Sequence, residues 1–281
     1  MTTPEPAVLA PGAVLLPECR FRLDGGAMFG HVPKVVWSRM IETDEQNRIA
    51  LACWPLLLRH PAGRIALVET GMGAKWSAKD AAVYALEQWP LRQSLAAQGV
   101  APEDVTDVVL THLHLDHAGG NTEPGPGGAP VCAFPNAVFH VQRGEWERAR
   151  NPDFRSRPSY RAENYDPIPA DRWNLIDGEA EPLPGVRVAP STGHTLWHQS
   201  VFVEFTETPI HYLGDLVPSS HHLKPHYVMG YDLYPLEVMA NRAKFLAAAA
   251  EANAVCVFEH DAHTPHGRIQ ADGKGGFRLR A

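Results

Sequence analysis

The apolar residues of this chain fall in short blocks divided by turn residues, and few blocks have helical spacing. AVLLPECRFRL (13–23), RIALACWPLLLRH (48–60) and RIALVET (64–70) read as strands, the last two joined by the turn PAG. Further on, DVVLT (107–111), NAVFHV (136–141), VRVAPS (186–191), QSVFVEF (199–205), PIHYLGD (209–215) and AVCVF (254–258) read the same way, and GRIQADGKGGFRLR (267–280) closes as a hairpin. Helical spacing is clearest in LEVMANRAKFLAAAAEAN (236–253), where Leu236, Met239, Ala243, Leu246 and Ala250 share one face and Pro235 opens the helix. WPLRQSLAAQG (89–99) is a second helix, opened by Pro90 and stopped at Gly99. RGEWERAR (143–150) is a short third helix, read as a solvated face. Residues 1–12 read as a flexible tail, 24–40 as a long loop rich in glycine and large apolar residues, and 151–182 as an irregular, proline-rich excursion. The loop 24–40 either binds a ligand or plugs the edge of the core with its aromatics.

The strong polar motifs each follow a strand. HLHLDH (112–117) follows DVVLT, STGHT holds His194, YLGD holds Asp215 and FEHD holds His260. An extended backbone would put His112, His114 and Asp116 on one side and Leu113 and Leu115 on the other, in the core. His117 joins them only through a turn, for which AGG supplies pliable backbone. Imidazole and carboxylate are ligands of zinc and its first-row neighbours. Four ionisable groups buried together would be costly without a cation. Five His and two Asp exceed what one tetrahedral ion uses. Two ions sharing a carboxylate use all seven: His112, His114 and His194 on one, Asp116, His117 and His260 on the other, Asp215 between. His31, His60, His140 and His211 read as structural histidines.

Composition narrows the class. A 281-residue chain with 44 % hydrophobic and 20 % charged residues fits a globular protein, read as one domain over 1–281. The net charge of −7 argues against nucleic acid as a partner. No apolar run approaches the roughly 20 residues of a bilayer span, and the N-terminus lacks the positive residues that open a secretory signal. Cys19, Cys53, Cys132 and Cys256 are scattered beside apolar residues, so free thiols and a reducing cytoplasm are expected.

Taken together, THLHLDHAGG, STGHT, LGD and FEHD resemble the metallo-β-lactamase superfamily, over residues from about 13 to the C-terminus. That resemblance implies an α+β fold, a four-layer αββα sandwich with two divalent ions at the sheet edge. Zinc is the default, with manganese, iron and cobalt as alternatives. LDGGAMFGHVPKVVWSRM, FPNAVFHVQRGEWERARNP and GYDLYP…FEHDAH look like YtnP-type quorum-quenching lactonases, which are similar to the N-acyl-homoserine lactonases. The resemblance implies a hydrolase that opens a lactone ring by attack of a metal-bound hydroxide, with Asp116 handing a proton to the leaving oxygen. Met28, Phe29 and Trp37 would line an acyl groove.

Three departures stand out. Glu69 replaces the usual aspartate at the second strand end. GHTLWH carries Trp197 where glycine is usual and keeps His198 as a supporting residue behind the ligands. No tyrosine follows the LGD motif closely, so His222 or Tyr231 would take the place at the lactone carbonyl. GDLVPSSHHLKPHYVMGYD also looks like the segment of methyl-parathion-hydrolase-type enzymes, which makes an aryl phosphotriesterase or esterase the alternative. A metal-dependent redox or binding protein fits less well: no flavin domain is expected, and a pure binding module would not need seven ligands. Tyr160, Tyr165 and Trp173 are read as a contact between copies of the chain, a homodimer, ahead of a cap over the site.

Overall fold

A computed structural model describes residues 4–280. Its centre is a pair of seven-stranded sheets. The first orders Ala7–Ala10, Ala13–Leu15, Leu56–Arg59, Ile65–Val68, Asp107–Val109, Val138–Gln142 and Trp173–Ile176. Its last four strands run parallel. The second orders Ala180–Leu183, Val186–Pro190, Gln199–Val203, Ile210–Tyr212, Val255–Val257, His266–Ala271 and Phe277–Leu279. Here all pairs are antiparallel except Ile210–Tyr212 with Val255–Val257.

One apolar layer lies between the sheets, with Leu58, Val68 and Val109 against Val188, Val201 and Tyr212. A second lies outside the first sheet, where Leu91, Leu95 and Ala149 of the helices Leu91–Ala97 and Arg143–Arg150 meet Val108 and Phe139. A third covers the second sheet, where Val238, Leu246 and Ala249 of the helix Pro235–Glu251 meet Phe202 and Cys256. Helix, sheet, sheet, helix is the four-layer order expected. Strands buried on both faces lose alternation, and Asp107–Val109 and Gln199–Val203 are buried at every position. No helix among the described residues is long and apolar enough to cross a membrane.

Several expectations change in detail. Residues 7–10, read as tail, pair with the next strand, and Ala10 is buried. The blocks 13–23 and 48–60 each divide, at Pro17 and at Pro55, because proline cannot donate to a ladder. The divisions face each other, with the Leu16 amide on the Pro55 carbonyl (2.8 Å) and the Glu18 amide on the Cys53 carbonyl (3.1 Å). Beyond them Cys19–Asp24 and Arg48–Cys53 form a separate small sheet with Glu87–Gln88. The loop 24–40 contains two short helices, Gly25–Phe29 and Lys34–Trp37, the first capped by the Asp24 carboxylate on the Ala27 amide (2.8 Å). Tyr160 and Tyr165 are buried, and with the half-buried Trp173 they pack into the core outside the first sheet. All four cysteines are free.

Candidate metal centre

HLHLDH leaves the strand Asp107–Val109 at the edge of the first sheet. Leu113 and Leu115 are buried, as expected of the inward side. The backbone does not stay extended to Asp116: the amides of His117 and Ala118 turn back onto the His114 carbonyl (3.2 and 3.0 Å). This turn points Asp116 and His117 toward His260 and makes two arms out of one motif, with His117 still against His112, ring centroids 3.9 Å apart, where Asp215 joins both. It is held where Gly119 passes Gly73. A Cβ on Gly119 would lie 2.2 Å from the Met72 carbonyl oxygen, and one on Gly73 would lie 2.2 Å from the Gly119 carbonyl oxygen.

The seven predicted ligands converge. His112, His114 and His194 place ligand atoms within 4.8 Å of one another, as do Asp116, His117 and His260. Asp215 lies between the groups, its Oδ2 3.0 Å from His194 Nε2 and its Oδ1 3.1 Å from His260 Nε2. Across each arm imidazoles meet nitrogen to nitrogen, His194 Nε2 to His114 Nδ1 at 3.1 Å and His260 Nε2 to His117 Nε2 at 3.2 Å. His112 Nε2 and Asp215 Oδ1 have no hydrogen bond although buried. Unsatisfied imidazole and carboxylate atoms aimed at a shared point are what a divalent cation would satisfy, so this donor set fits two such ions.

The arms differ electrically. Burial, with the neighbouring imidazoles, pushes His112 and His114 well below the ordinary histidine range. Burial also opposes charge on His117, but the carboxylates of Glu259, Asp215, Asp116 and Glu69 outweigh it and raise that group well above. His260 follows suit, lifted to about 9 against burial, chiefly by Asp215. Asp215 is held well below the carboxylate range because His194, His260 and His117 outweigh its burial. His194 of the first arm is also raised, because Asp215 and Asp232 outweigh its burial, so the carboxylates favour protons on both sides of Asp215, and ligation requires the imidazoles to be neutral.

Behind the ligands stands a layer that the sequence reading only partly identified. Asp232 Oδ1 lies 3.0 Å from His194 Nδ1, and the Ala52 carbonyl accepts from His260 Nδ1 at 2.9 Å, which leaves each Nε2 aimed inward. Glu145, on the helix read as a solvated face, is fully buried. Its Oε1 accepts from the Leu113 amide (3.1 Å) and the Tyr160 hydroxyl (2.8 Å), and its Oε2 from the Thr195 hydroxyl (2.7 Å). At the second arm, Glu259 Oε2 is 3.0 Å from His117 Nδ1 and Glu69 Oε2 is 3.5 Å from it, both off the hydrogen-bond direction. Burial and the nearby Glu259 raise the Glu69 carboxyl to about 7. Glu69 also adopts a left-handed backbone, φ 64°, a strained state for a residue with a side chain. His198 donates to or accepts from Ser191 Oγ (2.8 Å), and its ring lies 5.2 Å from that of His112. Burial pushes it down to about 3, so it is neutral packing behind the first arm.

Trp197, the departure from glycine, is explained locally. Its indole lies against Gly144, where a Cβ would come within 2.1 Å of Trp197 Nε1. His60 and His140 are structural as expected, paired with the Pro184 carbonyl and with Asp107 (2.8 Å each).

The arms open into a cavity of about 300 Å³ whose lining includes His114, Asp116, His194, Asp215 and His260. Its opposite wall is apolar: Phe21, Leu23, Met28, Leu51, Met72 and Met229. Of the predicted substrate residues, Met28 and Tyr231 line it. Phe29 and Trp37 do not, because they are fully buried and stacked on each other, ring centroids 5.3 Å apart, beneath that wall. His222 is corrected likewise. It is sealed between Ser219 Oγ (2.8 Å) and the Met28 carbonyl (2.9 Å), stacked on Phe29, and cannot touch a ligand in the cavity.

Comparisons with known proteins agree with this architecture. Residues 48–260 match the family model of the metallo-beta-lactamase superfamily, and the chain belongs to that superfamily. A probable metal-dependent hydrolase from Staphylococcus aureus has the same fold, with TM-score 0.86 and 28% identity over 100% of this chain and 99% of its own. AidC, a dizinc quorum-quenching lactonase solved with a product, N-hexanoyl-L-homoserine, superposes with TM-score 0.80 over 98% of this chain and 96% of its own, a likeness of fold at 19% identity. An N-acyl homoserine lactonase of Bacillus thuringiensis is 36% identical over 106 residues, which are 38% of this chain and 36% of that relative. The match therefore spans little more than a third of that lactonase.

Proposed function

We propose that this chain is a dinuclear metal-dependent hydrolase that opens N-acyl-homoserine lactone rings. The observation that carries the reading is Asp215, whose two oxygens are divided between the two histidine arms on the floor of a half-apolar cavity. Divalent ions bound in those arms, zinc by default, would supply Lewis acidity and an activated water at neutral pH. The residues do the rest. Met28, Met72, Met229 and Phe21 receive the acyl chain and keep bulk water from the ring. Tyr231, which lines the cavity wall along with Tyr84, takes the place at the lactone carbonyl. Burial raises its hydroxyl to about 12, so it stays a hydrogen-bond donor. Asp116, with 17% of its side chain exposed to the cavity, delivers a proton to the departing ring oxygen. The free cysteines suit a reducing compartment such as the cytoplasm.

Metal quantitation on purified protein should give close to two ions per chain. Initial rates should be highest on homoserine lactones in a panel with simple lactones, aryl esters and paraoxon-type triesters. Background lactone turnover from metal-replete protein overturns the substrate, and faster triester turnover reassigns it to the phosphotriesterase reading.

A further inference from the structure

Glu145 is a buried carboxylate behind the centre that faces none of the ligands directly, and its three partners come from three separate segments. Leu113 is the residue between His112 and His114. Thr195 follows His194. Tyr160 lies on the excursion 151–182, where its backbone bridges to His114 and its ring packs edge-on to the His114 imidazole at 4.8 Å. One buried side chain thus fixes both strands of the first arm and the wall beside it. The helix Arg143–Arg150 that carries Glu145 is itself seated closely, since Gly144 admits the Trp197 indole from the His194 loop. A carboxylate accepting three donors is locked at both oxygens, so it has no rotamer freedom to lend the arm.

We propose that Glu145 is the positioning residue of the first arm, setting the spacing of His112 and His114 against His194 so that this arm can hold its ion. The inference rests on the two-arm reading of the centre but not on any substrate. Nothing comparable ties the second arm to the helix. Removing Glu145 therefore loosens one ion and leaves the other.

The test reads metal, with no substrate present. Wild type, Glu145→Gln and Glu145→Leu are loaded with cobalt(II), whose absorption reports coordination, and titrated with a chromophoric chelator. Glu145→Leu should melt cooperatively, retain about one ion per chain and bind the other 10–100-fold more weakly. Glu145→Gln keeps one oxygen for the Leu113 amide and the Tyr160 hydroxyl, and its amide can donate to the Thr195 hydroxyl, so it should hold both ions with the wild-type spectrum. Wild-type affinity for both ions in Glu145→Leu overturns the proposal. So does parallel loss of both ions with a lowered melting temperature, which marks a general structural role. If Glu145→Leu does not fold, Thr195→Val removes only the donor beside His194. It should weaken one ion severalfold, and unchanged binding there overturns the proposal as well. A protein that passes these tests and opens no lactone refutes the proposed substrate alone.

Discussion

The two arms of the centre are made from one six-residue motif and are supported in opposite ways. Behind His112, His114 and His194 the acids are satisfied: Glu145 accepts three hydrogen bonds and Asp232 faces a histidine nitrogen. Behind His117 they are only partly so. Glu69 and Glu259 are fully buried; Glu69 Oε1 accepts from the Thr111 amide (2.5 Å), but its Oε2 and both Glu259 oxygens have no hydrogen bond. Hydrogen bonds to a fixed acceptor set geometry whether or not an ion is present. Crowded carboxylates create a negative field that a cation would relieve. The first arm is thus held by hydrogen bonds, and the second by charge.

That contrast can be broken at several points. The largest effect is expected from Asp215→Asn, because only Asp215 serves both arms. Retained metal should fall below one ion per chain, and lactone turnover should fall on the order of a thousandfold, the equivalent of several kcal/mol of lost charge stabilisation. Next come His194→Ala and His260→Ala, each expected to leave about one ion per chain by elemental analysis. A variant that kept two would remove its histidine from the ligand set. Glu259→Gln sharpens the contrast further. It should weaken one ion 10–100-fold in a chelator titration, because Glu259 Oε2 stands 3.0 Å from His117 Nδ1. Unchanged affinity for both ions would remove Glu259 from the support of the second arm.

The smallest effect on the centre is expected at His211, whose ring packs edge-on to Phe202 rather than to any ligand. Burial, then Arg187, lowers this histidine to about 4. The unfolded chain takes up its proton near pH 6.5, while the folded chain does not until about pH 4. The stability tied to His211 is therefore complete above pH 6.5 and is lost as pH falls toward 4, at up to about 1.4 kcal/mol per unit. Urea melts of His211→Phe at stepped pH should show a shallower acid decline with unchanged metal content. An identical decline would place the acid sensitivity elsewhere.

The ligands were legible in the sequence because each follows a strand, and four of the seven lie in one stretch of six residues. The layered fold was legible for a related reason: short apolar blocks alternate with helices of clear spacing. What lay hidden depends on which side of an element faces inward. RGEWERAR carries five charged residues in eight, so periodicity could not single out Glu145. The signal available was the small pair Gly144 and Ala149, which lets the helix approach closely. Glu259 stood inside FEHD but was overshadowed by His260. Phe29 and Trp37 were read as lining an acyl groove, because chain order could not tell the wall of a cavity from the layer beneath it. The prolines at 17 and 55 each divide what looks like one continuous strand, and only pairing reveals that the pieces join different sheets.

The turn that separates the arms has a consequence for how the molecule is assembled. HLHLDH hangs from the first sheet, whereas His194, Asp215 and His260 all hang from the second, and His117 and His260 are 143 residues apart in the chain. A pair of ions bound there would be a cross-link between the two halves of the polypeptide, closing a loop on the scale usually spanned by a long-range disulfide. During synthesis the early residues of the set would wait, since the link needs residue 260 and its sheet. Metal loading would then act as a seal on a finished sandwich.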